Sequence, residues 1–148
     1  MKTFERILGI MFVIAIIMKL LLIPGGDILA TLSLTFLSLF YLFLGFAFFN
    51  KIKLKNIFSQ SSYKDISVLR IMGAIGAGWG FSAICNGILF KMMHWPDAGV
   101  YMLSGLIPIF VVAIIALFKF FRSKSDFYQT ILTRIGIIGG ICLFFLIG

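Results

Sequence analysis

The residue types best suited to chemistry lie together in one short stretch, "FKMMHWPD", at positions 90–97. This stretch holds the single histidine of the 148-residue chain. An imidazole changes charge close to neutral pH, so it can accept and release protons or act as a pH-sensitive switch. A lysine and an aspartate flank it, so charges of both signs are close to the ring. The candidate functional turn consists of Lys91, His94, Trp95, Pro96 and Asp97.

Most residues of this turn also have a purely structural interpretation. Lys91 and Trp95 can anchor a helix end at a membrane surface, where long basic and aromatic side chains are enriched. Pro96 ends the preceding helix, and Asp97 can cap the next one. His94 is less easily explained in this way, so a titrating function would depend mainly on this residue.

A second turn repeats part of the first. When the sequence is shifted by 72 positions, "MKLLLIPGGD" aligns with "FKMMHWPDAG". The repeat predicts two parallel helical hairpins, at 5–50 and 66–121, with an extra helix at 127–148 that resembles the start of a third unit. The repeat counterparts of the candidate turn are Lys19, Pro24 and Asp27.

Two interpretations remain open for the lysine of the first turn. Lys19 lies five residues before Pro24, so its side chain can extend along the helix to the membrane surface. Alternatively it faces the bundle interior and pairs with an acid, and Asp27 and Asp97 are the only acids near the two turns. A bond from Lys19 to Asp97 would join the ends of the two hairpins. Asp27 is also expected to cap the helix that follows it.

The stretch "GAIGAGWGF" at positions 73–81 predicts close helix packing. Gly73, Gly76 and Gly80 belong to a small-residue pattern that lets neighbouring helix backbones approach each other. Ser82 and Asn86, four residues apart on one face, need hydrogen-bonding partners inside a bundle. A glycine-rich break that lines a substrate cavity is the alternative interpretation.

The composition indicates an integral membrane protein. Hydrophobic residues make up 61% of the chain and charged residues 12%, whereas soluble domains have roughly 45–50% and about 25%. The apolar residues come in blocks of about 20, which is the length that crosses a hydrocarbon core of about 30 Å. Both cysteines lie in apolar runs and are expected to be buried as small hydrophobes.

These blocks predict a single all-α membrane domain with five transmembrane helices. The expected spans cover positions 7–23, 28–49, 66–93, 100–118 and 126–148. Basic residues concentrate at the N-terminus and in the second and fourth connections, whereas the two proline turns contain acids only. The basic residues assigned to the fourth connection are Lys119, Arg122, Lys124 and Arg134.

The positive-inside rule then gives the orientation of the chain. It places the N-terminus in the cytoplasm and both turns on the outer side of a bacterial inner membrane, in a multi-pass arrangement. The net charge of +8 follows from basic loops beside anionic lipid. The lipid bilayer is therefore the expected partner of these charges, and nucleic acid is not.

Several kinds of site find no support in the sequence. There is no second histidine, no acid inside an expected span, no phosphate-binding loop and no pair of nucleophile and base. One histidine does not form a zinc site with this set of residues. We therefore expect no catalytic residues, no metal, no cofactor and no enzymatic activity.

The segment "GILFKMMHWPDAGVYML" at positions 87–103 resembles the transmembrane hairpin of the gliding-motility motor protein L family. That family is the inner-membrane partner of the type IX secretion system. Its Phe-Lys-x-x-His-Trp-Pro turn is matched by Lys91, His94, Trp95 and Pro96. The resemblance covers about positions 70–118, a third of the chain. It implies two spans with the turn on the periplasmic side.

The chain departs from that family where the motor acts. The family's motor role is associated with a glutamate inside the second span, whereas "SGLIPIFVV" at positions 104–112 contains no acid. The resemblance therefore implies a shared hairpin without proton-driven torque. The expected function is a small structural or assembly protein that associates with other membrane helices, as a homo-oligomer or with a complex partner. The alternative is a small transporter or proton-linked channel that uses Lys91 and His94.

Overall fold

The computed structural model describes residues 1–147, and over this range the chain is helical and contains no strand. Its α-helices are α1 (Lys2–Leu20), α2 (Gly26–Phe49), α3 (Val68–Met92), α4 (Ala98–Ser123) and α5 (Asp126–Ile147). They follow the expected spans to within a few residues, with two exceptions. Helix α1 begins at Lys2 rather than near position 7, and α4 extends to Ser123 rather than ending near position 118. Lys119 and Arg122 therefore lie within α4 and not in the fourth connection. The connection between α2 and α3 contains two short 3₁₀ turns, at Leu54–Asn56 and Gln60–Tyr63.

Four of these helices, α2 to α5, are long and apolar enough to cross a membrane. This pattern indicates a multi-pass membrane protein. Helix α1 is not apolar enough over the same length. Its 19 residues include four charged ones, Lys2, Glu5, Arg6 and Lys19. The structure therefore supports a helical membrane bundle with four such segments.

Helix α3 lies at the centre of the bundle, with α2 and α4 packed on its two sides. Helix α1 packs on α2, and α5 packs mainly on α4 with a smaller contact to α3. The two proline turns, 21–25 and 93–97, lie at one end, which we call the turn end. The opposite end, where α2 leads to α3 and α4 leads to α5, is the loop end.

Glycines allow α3 to approach both neighbours closely. A Cβ atom added to Gly78 would lie 2.6 Å from the carbonyl oxygen of Tyr41 on α2. A Cβ atom added to Gly80 would lie 2.8 Å from the carbonyl oxygen of Gly105 on α4. Neither position has room for a side chain, which is typical of membrane helices that pack through small residues.

The core between α2 and α3 combines aromatic rings with one polar contact. Tyr41 is buried, and its ring centroid lies 5.2 Å from that of Phe81. The hydroxyl groups of Ser38 and Ser82 are 2.8 Å apart and both residues are buried. Ser82 therefore has the interhelical partner that its place in an apolar helix requires.

The two proline turns have the same backbone conformation. Leu22 and His94, 72 positions apart, are both left-handed, with φ angles of 56° and 55°. The amides of Ile23 and Trp95 each donate a hydrogen bond of 2.8 Å to a carbonyl in the last turn of the preceding helix. This is the Schellman arrangement, in which glycine is usual at the left-handed position. Histidine adopts that conformation more readily than a bulky leucine does.

The expectation that aspartates cap α2 and α4 is wrong. The N-cap of α2 is Gly25, and Asp27 lies inside the first helical turn. Asp97 is at the N-cap of α4, but its side chain makes no capping hydrogen bond. Gly25 and Asp97 are both left-handed, with φ angles of 96° and 63°. A capping side chain normally needs an extended backbone to reach the free amides of the first turn.

Candidate functional site

The lysine of the first turn joins the two hairpins at the turn end. Lys19 Nζ forms an ion pair of 2.9 Å with Asp27 Oδ1. It also donates a hydrogen bond to the backbone carbonyl oxygen of Met92, at the end of α3. Of the two acids considered for Lys19, the side chain pairs with Asp27, and its link to the second hairpin goes to a free helix-end carbonyl rather than to Asp97. Carbonyls at a helix C-terminus lack intrahelical partners and carry partial negative charge, which favours a cation there.

The corresponding lysine of the second turn has no such role. Lys91, His94, Trp95 and Asp97 are all exposed at the turn end. Among residues 1–147, none of the ion pairs involves Lys91 or His94. Pro96 is exposed too, as is Pro24 in the first turn.

The aromatic residue of the second turn is held in place although it is exposed. The ring of Trp95 lies edge-to-face against Phe90, with centroids 5.2 Å apart, yet 51% of Trp95 is accessible. Phe90 in turn contacts Tyr101 on α4, at 4.8 Å between centroids. The turn therefore presents an exposed aromatic group, packed on Phe90, beside a basic and an acidic side chain.

A second charged cluster lies toward the loop end and joins the first helix to the last. Arg134 Nη2 and Nε donate hydrogen bonds of 2.6 and 2.7 Å to the two carboxylate oxygens of Glu5. The Tyr41 hydroxyl donates a third, of 2.6 Å, to the same carboxylate. The guanidinium also lies 4.7 Å from the centre of the Phe48 ring. The side chains of Arg134 and Glu5 are only 20% and 13% exposed, so this pair is largely shielded from solvent.

This cluster corrects two expectations from the sequence. Arg134 lies within α5 rather than in the connection before it. Glu5 precedes the expected first span at 7–23 but lies within α1, because that helix begins at Lys2. The isolated arginine in the apolar sequence of α5 is the signal that could have revealed the pair, because an ionisable group within a span requires a partner.

An apolar groove of about 650 Å³ opens beside this ion pair. Its walls come from α1, α2, α3 and α5, and aliphatic side chains predominate among them. Glu5, Arg6, Tyr41 and Arg134 are its charged and phenolic members. A second cavity, of about 480 Å³, lies at the loop end and is lined by Lys2, Lys51 and Lys53 together with apolar residues. Lys51 is paired with Asp126 at 2.9 Å on the exposed surface.

The glycines singled out in the sequence have different surroundings. Gly80 faces α4 without room for a side chain, as described above. A Cβ atom on Gly76 would make an ordinary contact of 3.5 Å with Val112, and one on Gly73 would meet nothing within 4 Å. Asn86 is only partly buried. The tightest contact to α2 instead involves Gly78, which is not one of the three glycines of the predicted packing pattern.

Comparisons with known proteins identify no relative, since no family model, curated protein or solved structure matches the chain. Within residues 1–147, no group of three or more histidine, cysteine, aspartate and glutamate residues is arranged to hold a metal ion. The functional interpretation therefore depends on three features of the fold. These are the exposed second turn, the enclosed ion pair and the apolar groove.

Proposed function

We propose that this chain is a small structural or assembly protein of a bacterial inner membrane, which binds a partner through its second turn. The observation that carries the proposal is the difference between two turns of the same backbone conformation. Lys19 forms its bonds within the molecule, to Asp27 and to the Met92 carbonyl. Lys91 is instead exposed together with His94, Trp95 and Asp97. Exposed tryptophan is among the residue types that dominate binding at protein interfaces.

The proposal includes five membrane crossings, with α1 as the first. The charges of α1 are the obstacle, and pairing reduces their cost. Lys19 is neutralised by Asp27 at one end, and Glu5 is neutralised by Arg134 near the other. The remaining cations of α1, Lys2 and Arg6, lie at the end expected to face the cytoplasm, where basic residues are favoured.

Under this proposal, α3 and α4 correspond to the transmembrane hairpin of the gliding-motility motor family that the sequence resembles. Helix α4 contains Pro108 but no acid within its apolar length. A motor that uses protons needs an ionisable group at that depth. We therefore propose that the shared turn serves hairpin architecture and partner binding here.

The alternative, a small transporter or proton-linked channel, has weaker support. Such a path would require Lys91 and His94 to face a shared wet cavity, and both are exposed at the bundle end instead. The one enclosed carboxylate, Glu5, already accepts three hydrogen bonds from Arg134 and Tyr41. A carboxylate held in this way is a poor carrier of protons, because releasing it would leave Arg134 unpaired.

Co-purification from native membranes tests the proposal. We expect that the double variant Lys91→Ala and Trp95→Ala loses a partner that the unaltered protein retains, as measured by quantitative mass spectrometry. The matched control is Lys53→Ala with Phe58→Ala, which removes an exposed lysine and an exposed aromatic residue at the loop end. Equal retention of every partner by the two variants would contradict the proposal.

Labelling tests the orientation separately. A cysteine introduced at Trp95 should react with a membrane-impermeant maleimide added to intact spheroplasts. A cysteine at Phe58 should react only after the membrane is opened. Both native cysteines are buried, so their background should be small. The reverse pattern would refute the orientation.

A further inference from the structure

We propose that the groove between α1 and α5 binds one acyl chain of an anionic phospholipid from the inner leaflet, with its phosphate on Arg6. The proposal depends on the membrane orientation given above but not on a partner at the second turn. Lipid retention tests the groove, co-purification tests the second turn, and the labelling experiment tests the orientation that both proposals share.

The dimensions of the groove match one leaflet. On α1 it is lined from Glu5 to Ile14, which corresponds to about 14 Å along a helix. On α5 it is lined from Thr133 to Ile141, which is about 12 Å on the same basis. A hydrocarbon core is about 30 Å thick, so the groove extends over roughly half of it, on the side of the ion pair.

The lining favours a hydrocarbon chain over water. Apart from the cluster at one end, the walls are mostly aliphatic, with contributions such as Val13, Leu34, Ile88 and Ile137. Water in an enclosed site needs several polar partners, and such walls offer few. The volume of about 650 Å³ lies within the usual range of ligand sites, roughly 300–1,000 Å³.

The charges at the end of the groove indicate an anionic headgroup. Glu5 is neutralised by Arg134, so the cluster contributes no free negative charge. Arg6 lines the groove, is exposed, and has no acidic partner among residues 1–147. Lys2 lies one helical turn before Arg6, so the two cations share a face of α1. A guanidinium can bind phosphate through two parallel hydrogen bonds, which suits a phospholipid headgroup.

Native mass spectrometry of the full chain in detergent, with equal amounts of phosphatidylglycerol and phosphatidylcholine, tests the site. The unaltered protein should retain one phosphatidylglycerol. Gly9→Leu should lose most of it, because Gly9 lines the groove and a Cβ atom there meets nothing within 4 Å. The added side chain would therefore occupy the groove without displacing the fold. Gly136→Leu is the matched control, since Gly136 lies on α5 with equally open space and outside the groove lining.

Two further variants test the binding of the lipid's acyl chain and the binding of its headgroup separately. Arg6→Gln should abolish the preference for phosphatidylglycerol over phosphatidylcholine. Val13→Phe, a second variant that narrows the groove at an exposed wall position, keeps the test valid if Gly9→Leu fails to fold. The proposal is overturned if the groove-filling variants retain as much lipid as Gly136→Leu. It is also overturned if the unaltered protein binds both lipids equally.

Discussion

At the loop end, the carboxylate of Glu5 is held by Arg134 and Tyr41 with little solvent access. At the turn end, Lys91 and His94 extend from the bundle without an ionic partner. Both regions contain ionisable residues within a mostly apolar chain. The charged groups of the first region are paired and shielded from solvent (the closed region), whereas those of the second are exposed. The difference follows from burial, since a charge removed from water must be paired, whereas a charge at the surface remains solvated.

The same contrast appears on a smaller scale between the two proline turns. Their backbones correspond residue by residue, but Lys19 reaches Asp27 and Met92 while Lys91 reaches no acid. A repeated turn therefore does not imply a repeated function. Lys19 of the first turn is bonded within the bundle, whereas Lys91 and His94 of the second turn are exposed.

The largest expected effect concerns the closed region. Arg134→Met should lower the free energy of unfolding by about 3–5 kcal/mol, because the largely shielded carboxylate of Glu5 is left without a cation. The control Lys51→Met breaks an ion pair whose side chains are 55% and 77% exposed, and such pairs contribute only about 0–1 kcal/mol. Unfolding by steric trapping in bilayers measures both variants.

Adding Glu5→Leu to Arg134→Met sharpens this result. The double variant should recover most of the lost stability, since replacing both charges by apolar groups is often neutral. Equal stability of Arg134→Met and the unaltered protein would show that the ion pair is not enclosed in the membrane-embedded fold.

A smaller effect is expected for the link between hairpins. Lys19→Met should cost about 1–2 kcal/mol, because a charged hydrogen bond to the Met92 carbonyl is lost while the partly exposed pair with Asp27 contributes little. Lys91→Met, the repeat counterpart, should change stability by less than about 0.5 kcal/mol. The same unfolding measurement compares the two. A larger loss for Lys91→Met would reverse the assignment of the two turns.

The smallest effects are expected at the left-handed positions. Leu22→Gly should raise stability by up to about 1 kcal/mol, because glycine adopts positive φ without the steric cost of a bulky side chain. His94→Gly should raise it less, since histidine tolerates this conformation better. A loss of stability in His94→Gly would instead reveal a stabilising contact of the imidazole. Thermal unfolding in detergent is sufficient for this comparison.

Much of the candidate site could be located from the sequence, but its partners could not. Pro24 and Pro96 mark the turns, and the apolar blocks between them give helix bounds within a few residues. The bonding partners of Lys19 were only partly predicted. Its partner at Met92 is a backbone carbonyl, and every residue has one, so the residue type gives no signal. The caps were misjudged for a similar reason, since the left-handed backbone at Gly25 and Asp97 depends on the geometry of the turn.

The sequence by itself determined the helical membrane class and the positions of the two turns, because apolar blocks and helix-breaking residues act locally. Only the tertiary structure decided that Glu5 meets Arg134, 129 positions away, and that Gly78 rather than Gly73 admits a neighbouring helix. It also decided which of two similar lysines is satisfied internally. These outcomes depend on how α1 and α5 are brought together around α3, and helix packing of that kind is a property of the whole chain.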